Sequence, residues 1–163
     1  MAILESKRLL IGDLISVATI ELRLRGRQRD DVLNELVDRI PEIADRPEAK
    51  QTLLRALHER EQLHSTGIGD GVALPHARNA LVGLVEKPVV VFGRHEQGIP
   101  YGAIDAQPAQ LFFLLVTTTV TQHLALLART SRLVRDPKMR QNLLTADRPE
   151  KIIALIREAE MKL

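Results

Sequence analysis

Leu111-Phe112-Phe113-Leu114-Leu115-Val116-Thr117-Thr118-Thr119-Val120-Thr121-Gln122-His123 changes character at its midpoint. The six apolar residues that open it predict a central β-strand covered on both faces. Thr117, Thr118, Thr119 and Thr121 then offer hydroxyls suited to a helix N-cap. From roughly Gln122 to Arg135 a helix is expected, with Leu124, Leu127 and Val134 among its apolar positions. Strand, cap and helix in immediate succession point to an α/β architecture.

Working outward, Asp105 is the only formally charged residue between Gln97 and Ala128, so this region is interior or lines a site. Gln97-Gly98-Ile99-Pro100-Tyr101-Gly102 reads as a loop, and the β-branched run Pro88-Val89-Val90-Val91-Phe92 as a strand. Near the N-terminus, Asp13–Ser16 predicts a short helical turn. In Ala18–Leu24 the residues Ile20, Leu22 and Leu24 alternate with polar ones, the period-2 signal of a half-buried strand. Val32, Leu33, Leu36, Val37 and Ile40 follow a helical period that Pro41 ends, and a second helix runs from Pro47 to about Gln62. Downstream, Pro137 opens a short helix and Arg148-Pro149 a last one ending near Met161. No repeat or linker is visible. The expectation is one α/β domain over residues 1–163, a β-sheet flanked by helices.

Composition narrows the classes. Apolar residues make up 45% of the 163 and charged residues 27%, an ordinary globular mix with a formal net charge of +2. With no cysteine, disulfides, thiolate catalysis and cysteine-ligated zinc are excluded. Aromatics at 2% and the absence of Trp argue against base stacking on single-stranded nucleic acid. Met1-Ala2-Ile3-Leu4-Glu5-Ser6-Lys7-Arg8 meets charges too early for a signal peptide, and no apolar run approaches the ~18 residues of a bilayer span, so a cytoplasmic protein is expected.

The candidate chemistry centres on Ser65-Thr66-Gly67-Ile68-Gly69-Asp70-Gly71-Val72-Ala73-Leu74-Pro75-His76-Ala77-Arg78. Alternate glycines suit backbone that bends sharply, Val72-Ala73-Leu74 suits a short buried strand, and Pro75 ends that strand. His76 is thereby placed on a rigid turn at a strand end. His123 falls in the first turn of the predicted helix, where the macrodipole disfavours imidazolium and favours a bound anion. A neutral His76 with one nitrogen held by a hydrogen bond would offer the other as a nucleophile. The competing reading is that both are satisfied core or rim histidines. A zinc set of two histidines with Asp70 or Asp105 is a further alternative, without a His-x-x-x-His spacing to support it. Gly67-x-Gly69-x-Gly71 departs from the dinucleotide fingerprint, and Ser65 and Thr66 lack the partners of a hydrolase triad. His58 and His95 read as surface residues, while His64 lies close enough to the glycines to reach the site. Arg129, Arg132, Arg135, Lys138 and Arg140 read as a solvated helix face, or alternatively as a docking surface for an acidic partner.

Ser65 to His76 closely resembles the active-site signature of enzyme IIA of the phosphoenolpyruvate-dependent phosphotransferase system, in its fructose/mannitol subclass and most nearly its nitrogen-regulatory members. Gln122–Ala128 resembles the family's second histidine segment, Arg60-Glu61-Gln62-Leu63 its arginine-bearing helix end, and Ala103–Pro108 the turn before its central strand. The resemblance extends from about Asp13 to Leu163. It implies a mixed sheet flanked by helices and a phosphoryl carrier in which His76 accepts phosphate from a phosphohistidine carrier protein. It further implies that Arg60 neutralises the phosphoryl charge, that His123 stabilises the group, and that the Ser65 or Thr66 hydroxyls donate to its oxygens. No metal, nucleotide or other cofactor is required, because the donor is already an activated phosphoramidate. The downstream target is a regulated protein or transporter subunit, with neither nucleic acid nor membrane insertion involved. With no permease fused in this sequence, regulation is expected rather than sugar uptake. The alternative is a non-catalytic interaction module with the same fold. Thr117-Thr118-Thr119 stands where the family commonly has a proline and an acidic residue, and His64 where it often has a small one.

Overall fold

A computed structural model describes residues 9–79, 81 and 83–163. The N-terminal reading over Met1–Arg8 lies outside the described residues. Among them, five strands form one mixed sheet: β1 (Ile20–Glu21), β2 (Gly67–Gly69), β3 (Val72–Ala73), β4 (Val89–Ile99) and β5 (Ala109–Val116), in the order β1-β4-β5-β3-β2. β1 is parallel to β4, β4 antiparallel to β5, β5 parallel to β3, and β3 antiparallel to β2.

The helices are α1 (Ile11–Leu14), α2 (Arg29–Val37), α3 (Pro41–Ala44), α4 (Pro47–Leu63), α5 (Val120–Leu133), α6 (Pro137–Thr145) and α7 (Pro149–Glu160). They divide between the two faces of the sheet, and the strand side chains show how. On β5, Phe112, Leu114 and Val116 join Leu33, Leu36, Leu53 and Leu57 from α2 and α4 in one apolar cluster. Leu111, Phe113 and Leu115 point the other way, into a cluster with Leu126, Leu133, Leu143 and Ile152 from α5, α6 and α7. A strand covered on both sides has no polar face, which is why Leu111–Val116 reads as an unbroken apolar run. The expected α/β class and the mixed sheet flanked by helices are both present.

Several local expectations needed correction. The alternation over Ala18–Leu24 yields only the two-residue β1, preceded by a single 3-10 turn at Val17–Thr19. The Leu22 carbonyl is taken by the Arg94 guanidinium at 3.3 Å, and backbone pairing resumes for one bond, Leu24 N–H to Arg94 O at 2.9 Å. Conversely, β4 continues through Gln97–Ile99, which read as loop. Register shifts between Arg94 and Ile99 and Gly98 takes φ +81°, so the loop-forming residues mark a bulge inside the strand instead of its end. His95 falls on this stretch and is buried, correcting its reading as a surface residue. Its Nε2–H donates to Gly26 O at 2.9 Å and its Nδ1 accepts from Gly98 N–H at 3.0 Å, which satisfies both nitrogens of a neutral ring. Pro41 does close the preceding helical run, but it also occupies the first turn of α3.

Candidate functional site

Two parallel neighbours in a sheet end on the same side, so whatever follows β3 and β5 must converge. Pro75-His76 follows β3, and an isolated bridge from His76 to Leu115 carries the β3–β5 pairing up to the histidine itself. Thr117–Thr119 and α5 follow β5. Of the four threonines Thr119 is the N-cap, and α5 starts at Val120, two residues ahead of the expected start. Thr119 accepts from Gln122 N–H at 3.2 Å, while Gln122 Oε1 accepts from the Thr118 N–H and hydroxyl at 3.0 and 2.8 Å. One residue later, His123 emerges toward His76. The two rings lie 5.2 Å apart, centroid to centroid, tilted by 56°. Arg60, in the last turn of α4, completes the group, since its positive charge bears on both imidazoles.

The protonation state of His76 follows from its contacts. Nδ1 lies 2.6 Å from the Leu74 carbonyl oxygen, which can only accept, so Nδ1 carries the hydrogen and Nε2 keeps its lone pair. Burial pushes the His76 pKa from the ordinary 6.5 down to about 4; the Leu74 carbonyl opposes that shift, while Arg60 and His123 add to it. His123 is also lowered, by burial first and by Arg60 second. Its Nδ1 faces Thr117 Oγ1 at 3.5 Å. Both rings are therefore neutral at pH 7.

Because the folded state disfavours the imidazolium of His76, the unfolded chain takes up a proton here first on acidification. The resulting loss of stability develops as the pH falls from 6.5 to about 4 and is complete below that window. We expect the stability difference between wild type and His76→Gln, measured by urea unfolding, to move against wild type between neutral pH and pH ~5. A difference that stays constant would show that His76 titrates normally in the folded protein.

The glycine stretch forms a tight hairpin, with Gly69, Asp70 and Gly71 at φ +93°, +56° and +78°. Three consecutive left-handed residues explain the glycines, and Asp105 holds the one that carries a Cβ by accepting from Asp70 N–H at 2.8 Å. Asp105 also accepts from Gln107 N–H at 3.0 Å, and these two bonds lower its pKa. Among the described residues no three His, Asp or Glu side chains converge as metal ligands would.

Ser65 and Thr66 need reassessment. The Ser65 hydroxyl donates to Tyr101 O at 2.5 Å and accepts from Gly67 N–H at 3.0 Å. The Thr66 hydroxyl donates to the Glu61 carboxylate, and Thr66 is buried. Both hydroxyl hydrogens are thus taken by protein acceptors. Arg60 donates to His64 O at 2.6 Å, which leaves His64 contributing a carbonyl while its side chain is exposed. His58 is exposed beside Asp30, at 3.4 Å. Of the basic stripe, Arg129 pairs with Glu160 at 3.7 Å and Arg140 caps the end of α5 through Val134 O and Arg135 O. Arg132, Arg135 and Lys138 remain exposed.

The sequence reading missed Glu61 and Tyr101. The signal was available on α4, where Ala49, Leu53, Leu57 and Glu61 share one face at four-residue spacing and all are buried. An apolar stripe that ends on a carboxylate asks for buried donors, and the structure supplies them.

A sheet that brings a free imidazole nitrogen, a second neutral imidazole, an arginine and a helix N-terminus to one edge defines an α/β protein suited to holding an anion against a histidine. The comparisons with known proteins give its family. The family described as phosphoenolpyruvate-dependent sugar phosphotransferase system, EIIA 2, matches residues 13–159, and the chain belongs to it. It is 35% identical over 153 residues to a PTS system fructose-specific EIIABC component of Bacillus subtilis, covering 91% of this chain but only 23% of that protein. It is 32% identical over 135 residues to a nitrogen regulatory protein of Bradyrhizobium diazoefficiens, covering 82% and 85% of the two chains. Among solved structures, nitrogen regulatory protein IIA-Ntr from Neisseria meningitidis aligns with a TM-score of 0.78 at 26% identity, over 90% of this chain and 98% of that one. The mannitol enzyme IIA of Escherichia coli, solved in complex with phosphorylated enzyme IIB, shares the fold with a TM-score of 0.75 at 18% identity, over 89% and 99% of the chains.

Proposed function

We propose that the chain is a cytoplasmic phosphoryl carrier and that His76 Nε2 is its acceptor atom. The observation that carries this reading is the Nδ1–Leu74 O bond at 2.6 Å, which fixes the nucleophilic nitrogen and stabilises the ring as it gains charge. The phosphorus–nitrogen bond of a donor phosphohistidine breaks as the bond to Nε2 forms, and the Nδ1 proton stays in place throughout. Transfer of this kind depends on positioning and charge stabilisation. Arg60 and the N-terminus of α5 face the phosphoryl oxygens, and His123 donates to them from Nε2 while its Nδ1 faces Thr117. Ser65 and Thr66 act by shaping the loop. No metal or nucleotide enters the transfer.

The surroundings suit a protein donor. Leu63, Val120 and Leu124 are exposed on the helices that carry Arg60 and His123, and Ile68 and Ile104 on β2 and on the loop between β4 and β5. Apolar residues of this kind around a charged centre favour docking of another protein over capture of a free sugar. Relatives called nitrogen regulatory proteins, matched over most of this chain, support a regulatory rather than a sugar-feeding role. The donor is a phosphohistidine carrier protein, and the target a regulated protein or transporter subunit.

Incubation with phosphoenolpyruvate and the general phosphotransferase components, followed by intact-mass analysis, should add one acid-labile phosphoryl group. His123→Ala and Arg60→Ala should each slow the transfer by about 10²-fold, as loss of one preorganised charge-stabilising group does. No mass shift with any carrier protein would leave an interaction module with the same fold as the better reading.

A further inference from the structure

The Glu61 carboxylate is buried and receives three donors. Thr66 N–H reaches Oε1 at 2.9 Å, Tyr101 OH reaches Oε2 at 2.9 Å, and the Thr66 hydroxyl also donates to Oε2. With one oxygen taken by an amide N–H that can only donate and the other by two hydroxyls, the side chain sits as a fully hydrogen-bonded carboxylate. Burying such a charge is tolerated when its oxygens are fully hydrogen-bonded. Burial and the Glu61 charge together raise the Tyr101 pKa, which keeps that phenol a donor.

What this cluster holds is the turn that carries the acceptor. Thr66 O accepts from Leu74 N–H at 2.9 Å, and Leu74 O accepts from His76 Nδ1–H at 2.6 Å. Three hydrogen bonds thus connect Glu61 to the ring by way of residues 66 and 74. Each step crosses from one peptide group to another, so the connection transmits position and not polarisation. We infer that Glu61 is a positioning residue for His76: its carboxylate sets the height of Thr66, hence of the Leu74 carbonyl, hence the tautomer and aim of the imidazole. Its neighbour Arg60 sits on the same helix turn, so one element registers both the charge-neutralising group and the nucleophile. The inference concerns how the site is built, and its bearing on transfer rests on His76 being the acceptor.

The test uses the full chain with 15N-labelled histidine, unphosphorylated and at neutral pH, in wild type, Glu61→Gln and Glu61→Asp. Glutamine keeps one acceptor oxygen for Thr66 N–H and turns its N–H₂ toward the Thr66 and Tyr101 hydroxyls, which must reverse from donating to accepting and lose their charge-assisted bonds. In long-range proton–nitrogen spectra, the Nε2–H tautomer of His76, minor in wild type, should rise several-fold in Glu61→Gln and return toward wild type in Glu61→Asp. The phosphoryl-transfer rate should fall by about tenfold in Glu61→Gln, in line with loss of a group that orients a reacting one. If Glu61→Gln does not fold, Thr66→Val and Tyr101→Phe each remove a single donor and should shift the tautomer in the same direction. An unchanged His76 tautomer in a folded variant overturns the inference, whatever the rate does. Failure of wild type to become phosphorylated would sink the acceptor reading and leave the tautomer comparison standing on its own.

Discussion

Replacing His76 by alanine is expected to abolish phosphoryl acceptance while leaving the fold intact. The residue caps the β3–β5 pairing through its backbone bridge to Leu115, which alanine keeps. What disappears is Nε2, the ring nitrogen left with a free lone pair by the Nδ1 bond to Leu74 O. His123 does not substitute for it: with its Nδ1 facing the Thr117 hydroxyl, its Nε2–H presents a donor where a nucleophile is needed. The readout is the mass of the protein after exposure to a phosphorylated carrier protein, with the same mixture phosphorylating wild type. His76→Ala should gain nothing. An acid-labile phosphoryl group on the variant would move the acceptor elsewhere, with His123 the first place to look.

The second large effect falls on stability. Phe113 is fully buried on β5 and packs edge-on against Phe92 of β4, ring centres 5.1 Å apart. It stands in the cluster that joins the sheet to α5, α6 and α7. Phe113→Ala removes both the transferred apolar surface and the aromatic contact, and leaves a cavity beneath the helix that presents His123. The cost should be about 3–5 kcal/mol by urea unfolding. A loss below ~1 kcal/mol would mean that the neighbouring helices collapse into the gap. Any slowing of transfer in a variant that stays folded should track displacement of His123, whereas His76 sits on strands held from the opposite face as well.

How much of this was legible depended on whether a residue's partner was near in sequence. Leu111–Val116 reads correctly because burial on both faces leaves a local mark, an apolar run without alternation. The cap at Thr119 reads correctly because its partner, Gln122, is three residues away. His76 and His123 stand out because each is adjacent to a turn or helix start that explains its exposure to a ligand. By contrast, β1 ends early because of an arginine 72 positions distant in the chain, and His95 is interior because Gly26 supplies an acceptor across 69 positions. The Ser65 hydroxyl is claimed by Tyr101, again from a distant segment. Polar groups whose partners come from elsewhere carry no local signature, so nothing near Ser65 and Thr66 in the sequence corrects the role that the family resemblance implies for their hydroxyls. Glu61 lies between these cases, since its helical spacing declares it buried but not what it binds.

The parallel pairing of β3 with β5 has a consequence for how the site could change. Neighbouring strands lie ~4.8 Å apart, and the two imidazoles, one on the turn after β3 and the other on the helix that follows β5, are 5.2 Å apart. The sheet therefore acts as a ruler for the pair. Lengthening the segments that lead into either strand leaves this interval untouched, whereas slipping the register of β3 against β5 moves one ring out of reach of the other. Insertions elsewhere can reshape what docks on the rim without retuning the chemistry beneath it. The same interval could be transplanted to any sheet with two adjacent parallel strands and a helix starting close behind one of them.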